Sequence, residues 1–211
     1  MNLSKLSTEH YKALLNHYGS PITPLRHKNI EQLAIAVILS AQCTDARVNQ
    51  ITPKLFSRYK NIGDFARASQ EEVEKIIYSA GFYKMKTMHI IALARILEKN
   101  YEGKIPDNFE ALLKLPGIGR KSANVIMSSG FNKICGIVVD THVKRLSFRL
   151  GYTSNKNPDK IEADLMQIWP KKIWNPMSLL LIFHGRKFCK AQNPRCETCF
   201  LTETCRFFKK C

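Results

Sequence analysis

The sequence predicts an all-α protein. No sustained run alternates apolar and polar residues as a half-buried strand does, many segments repeat apolar positions at three and four residues, and helix caps and stops punctuate those segments. Residues 6–18 form a first helix, closed by Gly19 and followed by a linker with Pro21 and Pro24. Residues 30–42 carry Ile30, Leu33, Ala34, Val37 and Ile38 on a broad apolar face, which predicts a buried helix. Ser69-Gln70-Glu71-Glu72 reads as a capping box and starts a helix that ends near Gly81. The next helix runs from about Lys84 to Asn100. Asn108 caps a short helix carrying Leu112, Leu113 and Leu115, which Pro116-Gly117 stops. Another begins at about Gly119 and stops at Gly130, and further helices are expected over 141–149, 159–168 and 176–188. Internal repeats and low-complexity stretches are absent from the sequence.

With 211 residues, 45% of them hydrophobic, the chain can bury a substantial core as one large or two small domains. Lys and Arg number 33 against 17 Asp and Glu, a formal charge of +16, which favours a polyanionic partner. Nucleic acid and an anionic membrane surface are the two candidates, and the membrane reading fails on other grounds. The longest apolar run, Leu33 to Leu39, is far short of the roughly 20 residues a span needs, and Met1-Asn2-Leu3-Ser4-Lys5 has no apolar signal core. An intracellular protein is expected. Basic charge alone does not decide for nucleic acid, because many soluble proteins are basic and bind none.

Seven cysteines are present, and four of them, Cys189, Cys196, Cys199 and Cys205, follow one another as C-x6-C-x2-C-x5-C. Without a secretory signal a disulfide framework is not expected. Zinc sites usually show two close ligand pairs separated by a longer loop, whereas one compact run wrapped around a single body suits a four-thiolate iron–sulfur cluster. The cluster is the favoured reading and zinc the alternative. Arg186, Lys187, Lys190 and Arg195 flank or lie within the first loop, where they balance cluster charge and present cations to a phosphate backbone. Cys43, Cys135 and the final residue Cys211 receive no role.

From Asn108 to Ser129 the pattern is helix, tight turn, helix. In Pro116-Gly117-Ile118-Gly119 the proline presets one turn position and the glycine permits positive φ, so backbone amides can converge at the positive end of the second helix. Such a turn binds phosphate without reading sequence, although an ordinary helix corner needs the same residues. Arg120 and Lys121 follow at once. A free lysine, with a pKa of about 10.4, must lose its proton before attacking carbon, and both the helix end and Arg120 disfavour the ammonium form. The bland alternative is a solvated, phosphate-contacting lysine. Nineteen residues on, Asp140 follows the apolar Ile137-Val138-Val139 and precedes Thr141. It reads as a helix N-cap, a role compatible with aiming an oxygen at a substrate.

Taken together, Leu115-Pro116-Gly117-Ile118-Gly119-Arg120-Lys121-Ser122-Ala123, Val139-Asp140-Thr141-His142 and the four-cysteine tail resemble the endonuclease III family of the helix-hairpin-helix superfamily. Leu39-Ser40-Ala41-Gln42-Cys43-Thr44-Asp45 and His184-Gly185-Arg186 extend the resemblance over nearly the whole chain. It implies two helical domains flanking a DNA-binding cleft: a six-helix barrel over 23–134 with the helix-hairpin-helix at about 108–129, and a cluster domain made of 1–22 plus 135–211. It implies a monomeric DNA glycosylase and abasic-site lyase with one [4Fe–4S] cluster on Cys189, Cys196, Cys199 and Cys205, acting on oxidised pyrimidines and abasic sites in double-stranded DNA.

Lys121 is then the nucleophile that forms a Schiff base with the sugar of a flipped nucleotide, and Asp140 assists deprotonation and stabilises the cationic sugar. The hairpin residues Gly117, Gly119 and Arg120, with Arg186, Lys190 and Arg195, are expected DNA contacts. By the same resemblance Gln42 fills the gap left by the flipped base and Phe82 wedges beside the kink. Two departures stand out: Phe82 replaces the family's usual leucine, and Lys84 its usual asparagine. A core aromatic is the alternative for Phe82. Monofunctional mismatch and adenine glycosylases of the superfamily lack a lysine at the position of Lys121, and a non-catalytic, structure-specific DNA-binding module needs neither Lys121 nor Asp140.

Overall fold

The computed structural model describes residues 2–208, so Cys211 lies outside the described residues. Every regular element among them is helical, as the periodicity predicts. The chain divides into two compact units, one spanning Thr23–Lys133 and the other joining the N-terminal helix to the stretch from Ile134 onward.

The unit Thr23–Lys133 contains α2 (Ile30–Leu39), α3 (Asp45–Arg58), α4 (Ile62–Ala66), α5 (Gln70–Ile77), α6 (Tyr83–Tyr101), α7 (Phe109–Leu113) and α8 (Arg120–Gly130), with a 3-10 turn at Tyr78–Ala80 before α6. Seven consecutive residues of α2, Leu33 to Leu39, are buried, so this helix is apolar all round and forms the unit's centre. It packs on α8, where a Cβ on Gly130 would come within 3.1 Å of Ile30 Cγ2. The helix ends at Leu39 and not at residue 42, because Ser40 turns its hydroxyl onto Val37 O at 2.8 Å and Gln42 takes a left-handed φ of 51°.

Two helices in this unit escape the periodicity. α3 carries Pro53, which removes a backbone donor at a cost of about 3 kcal/mol, yet burial of Val48, Ile51, Thr52 and Leu55 holds the helix. α4 is too short to show a period, and it owns the unit's capping box: Asn61 accepts from Asp64 N while Asp64 accepts from Asn61 N. The capping box expected at Ser69 does not form. Ser69 is the N-cap of α5 but makes no side-chain cap bond, and its intended partner Glu72 is drawn away to α3, where it accepts from Arg58 Nη2 at 3.1 Å and Tyr59 Oη at 3.3 Å.

The second unit contains α1 (Leu3–Tyr18), α9 (Thr141–Leu150), α10 (Pro158–Ile168) and α11 (Trp174–Lys187), with 3-10 turns at Lys171–Ile173 and Thr202–Thr204. Asn2 caps α1 and Gly19 closes it with φ 72°. Leu14 of α1, Leu146 of α9, Ile161 and Leu165 of α10 and Leu180 and Leu181 of α11 form the core of this unit. The buried residue His10 crosses it, with Nδ1 bonded to Tyr152 Oη and Nε2 to Thr204 Oγ1 at 2.8 Å. No described helix is long and apolar enough to cross a membrane.

Candidate active site and cysteine loop

The hairpin is anchored from below by Leu112, Leu115 and Ile118, each at most 4% exposed, and its turn is closed by the Ile118 amide on Leu115 O at 3.2 Å. Asn108 caps α7 by accepting from Ala111 N at 2.9 Å. Gly117 is required twice over: its φ is 77°, and a Cβ there would stand 2.9 Å from His89 Cβ of α6. Gly119 is different. Its φ of −93° suits any residue, and a Cβ would meet nothing within 4 Å. As the N-cap of α8 it supplies no side-chain acceptor, and the first turn of α8 holds no acid, so the helix's leading amides keep their positive potential. Arg120 lies over the Phe109 ring, 5.6 Å from its centroid, and Lys121 projects from the same turn with its side chain exposed.

Two other residues expected to meet DNA sit at turn tips of this unit. Gln42 and Phe82 are both exposed and both left-handed, with φ of 51° and 49°. At 59% exposure Phe82 is no core aromatic; it stands at the N-cap of α6, with the exposed Lys84 two residues further on.

In the other unit Asp140 ends an extended segment held by Glu162, whose Oε1 accepts from Ile137 N at 3.0 Å. Asp140 is the N-cap of α9, as the sequence predicts. One oxygen does all of the capping, since Oδ1 accepts from both His142 N and Val143 N at 2.8 Å, so the role uses half of the carboxylate. Behind it Arg145 donates to His142 Nδ1 at 3.0 Å, to Gly185 O at 3.1 Å and to Cys189 O at 2.9 Å. Accepting at Nδ1 makes the His142 ring neutral, in keeping with burial and the nearby Arg145 and Arg186, which hold its basicity below the usual range against the pull of Asp140. Gly185 is there for closeness: a Cβ would lie 2.7 Å from His142 Nδ1. Sequence reading names the His184-Gly185-Arg186 motif but not this use of its glycine.

Cys189, Cys196, Cys199 and Cys205, each partly buried, line one apolar pocket with Phe188 and Leu201. Arg149 of α9 donates to Cys189 Sγ at 3.3 Å and to Lys190 O at 2.7 Å. His184 Nε2 approaches Cys199 Sγ at 3.3 Å, and its other nitrogen meets Tyr18 Oη of α1 at 3.1 Å. Burial raises the Cys199 thiol above the ordinary range, and the charges of Cys189, Cys205 and Cys196 add to the rise. The Arg195 amide returns to Phe188 O at 3.0 Å, so Lys190 and Arg195 are carried, exposed, on a closed loop. Arg186 is exposed at the end of α11.

Residues 35–171 match the HhH-GPD superfamily of base excision DNA repair proteins, and residues 189–205 match the iron–sulfur binding domain of endonuclease III. The endonuclease III of Synechocystis sp. is 42% identical over 199 residues, covering 94% of this chain and 91% of its own. The chain belongs to the endonuclease III family. Two solved structures resemble this family member over its whole length at 40% identity, each with a TM-score of 0.93: a non-covalent endonuclease III–DNA complex covered over 98% of its chain, and a trapped covalent endonuclease III–DNA intermediate covered over 99%.

Family membership brings one [4Fe–4S] cluster, and the matched iron–sulfur domain begins at Cys189 and ends at Cys205. The thiols of this endonuclease III relative fit it. Four thiols ringing an apolar pocket suit a larger body with one thiolate at each corner, and its irons would reverse the mutual repulsion felt at Cys199.

Proposed function

We propose that Lys121 and Asp140 carry the chemistry of this endonuclease III family member, and that Cys189, Cys196, Cys199 and Cys205 bind its cluster. As a family member the chain is a base excision repair enzyme, a DNA glycosylase and abasic-site lyase. The exposed Lys121 in the first turn of α8 carries the reading: it is a primary amine at the end of a phosphate-binding hairpin, in a chain 40% identical to one trapped covalently on DNA.

The nucleotide bearing an oxidised pyrimidine is flipped from the duplex. Neutral Lys121 Nζ attacks C1′, the C1′–N bond breaks, and the base leaves with the bonding electrons and a proton. Ring opening gives an imine between Nζ and C1′. Loss of a C2′ proton then expels the 3′ phosphate by β-elimination, and water releases the lysine. Asp140, with Oδ1 occupied by two amides, offers its other oxygen to the developing cationic sugar and takes up the amine proton. Gly117, Gly119 and Arg120 hold phosphate on backbone amides and a cation; Arg186, Lys190 and Arg195 add charge, while Gln42, Phe82 and Lys84 meet the opened duplex. The cluster, when bound, supplies a rigid anionic body around which the 189–205 loop is shaped. We place the enzyme inside the cell with its DNA, acting as a monomer.

Borohydride reduction on a duplex with one abasic site tests the assignment. The holo-protein is expected to give a covalent adduct and Lys121→Gln none. No adduct from the intact protein refutes the lyase reading, and an adduct from Lys121→Gln refutes the residue.

A further inference from the structure

Lys86 of α6 is 4% exposed in a chain whose other lysines mostly face water. Its ammonium donates to Leu39 O at 2.8 Å and to Ala80 O at 2.7 Å. Leu39 is the last residue of α2, and Ala80 is the last of the 3-10 turn before α6. Terminal carbonyls of this kind lack intrahelical donors and carry partial negative charge, which an ammonium satisfies well. Burying that charge is nonetheless expensive, and a methionine would fill the same volume without the desolvation. Packing alone therefore does not account for Lys86. What a lysine does here and a methionine cannot is tie two chain segments to one point.

Each tied segment leads directly to an exposed, left-handed residue. Gln42 follows Leu39 by three positions with φ 51°, and Phe82 follows Ala80 by two with φ 49°. Such conformations cost a non-glycine residue about 1–3 kcal/mol and persist only where the surroundings hold them. We propose that Lys86 is a positioning residue for base extrusion, clasping the two turns whose tips enter the duplex and so fixing the spacing of Gln42 and Phe82. The proposal rests on the reading of those two residues as the ones that enter the DNA. Lys86 touches no substrate, and the imine chemistry at Lys121 proceeds without it.

The test is single-turnover kinetics with saturating holoenzyme on two substrates: a duplex with a paired oxidised pyrimidine, which must be extruded, and a single strand with an abasic site, which need not be. Lys86→Met should slow base excision from the duplex by about 10- to 100-fold, the scale on which small misplacements act, and leave abasic-site cleavage within about twofold. Lys86→Arg, which keeps the cation and its donors, should recover most of the loss. In a Gln42→Ala/Phe82→Ala background, Lys86→Met should add less than about twofold, because it acts through those residues. A folded Lys86→Met with wild-type excision overturns the proposal, as does a loss that multiplies fully with the double variant. If Gln42→Ala/Phe82→Ala itself excises at the wild-type rate, the reading of the tips falls first and the clasp falls with it. Should Lys86→Met fail to fold, ¹⁵N spectra of the wild-type lysines decide: a slowly exchanging Lys86 ammonium that shifts on binding abasic duplex supports the clasp, and a freely exchanging one overturns it.

Discussion

Asp140 is read as both helix cap and catalytic carboxylate, and two substitutions separate the roles. Asparagine keeps an acceptor where Oδ1 now receives the amides of His142 and Val143, and asparagine and aspartate are comparable N-caps. Asp140→Asn therefore loses only the charge–dipole part of the cap, under about 1 kcal/mol. Asp140→Ala leaves both amides unmet and should cost about 1–2 kcal/mol. For a chain of this length that is an apparent melting shift of roughly 2–8 °C. Catalysis divides the other way. Neither variant has an anion to meet the cationic sugar, so both should lose about 10²–10³-fold in single-turnover excision. Thermal unfolding and excision from a lesion-bearing duplex are measured on the same three holo-proteins. A fully active Asp140→Asn would leave only the cap, and an alanine variant as stable as the asparagine one would show that the two hydrogen bonds contribute little.

The glycines of the hairpin make a similar pair. Gly117→Ala incurs a left-handed φ and a 2.9 Å approach to His89, together about 2–4 kcal/mol, whereas Gly119→Ala should cost under about 1 kcal/mol yet weaken DNA binding by obstructing the backbone; melting and fluorescence anisotropy check both. Burial lowers His10 to about 4, so between that value and its ordinary range the unfolded chain binds the proton and the folded one does not. Stability should then fall as pH drops, by about 2 kcal/mol between pH 7 and pH 5, and urea titrations of His10→Gln should show a flatter profile. Cys199→Ser should lose the visible absorption of the cluster and the hydrogen-exchange protection of residues 189–205 while the unit Thr23–Lys133 keeps its protection.

Most of the architecture is legible in local signals because caps and stops are short-range chemistry. Gly19, Asn108 and Asp140 act where their residue types say they should. Two of the misses share one cause, tertiary partners that override local ones. Glu72 abandons Ser69 for Arg58 and Tyr59, and α3 survives Pro53 through its buried face. The site divides along the same line. Lys121, Asp140 and the cysteines stand in recognisable strings, and a resemblance finds them. Lys86 looks like any solvated lysine of a basic chain, since nothing in its neighbours along the sequence announces carbonyl partners at residues 39 and 80. The close approach that fixes Gly185 is equally invisible, because it is made by a ring more than forty positions away.

The discontinuity of the second unit orders events during synthesis. Residues Thr23–Lys133 emerge as one continuous stretch and can complete their core while the ribosome is still at work. Helix α1 leaves the exit tunnel before all of them, yet Leu14 and His10 must wait for α10, α11 and the turn at Thr204, which are made after that stretch. Helix α1 thus precedes the continuous unit in translation yet docks after it, and the cysteine loop, carried on segments made later still, receives its iron and sulfide after the unit Thr23–Lys133 has emerged.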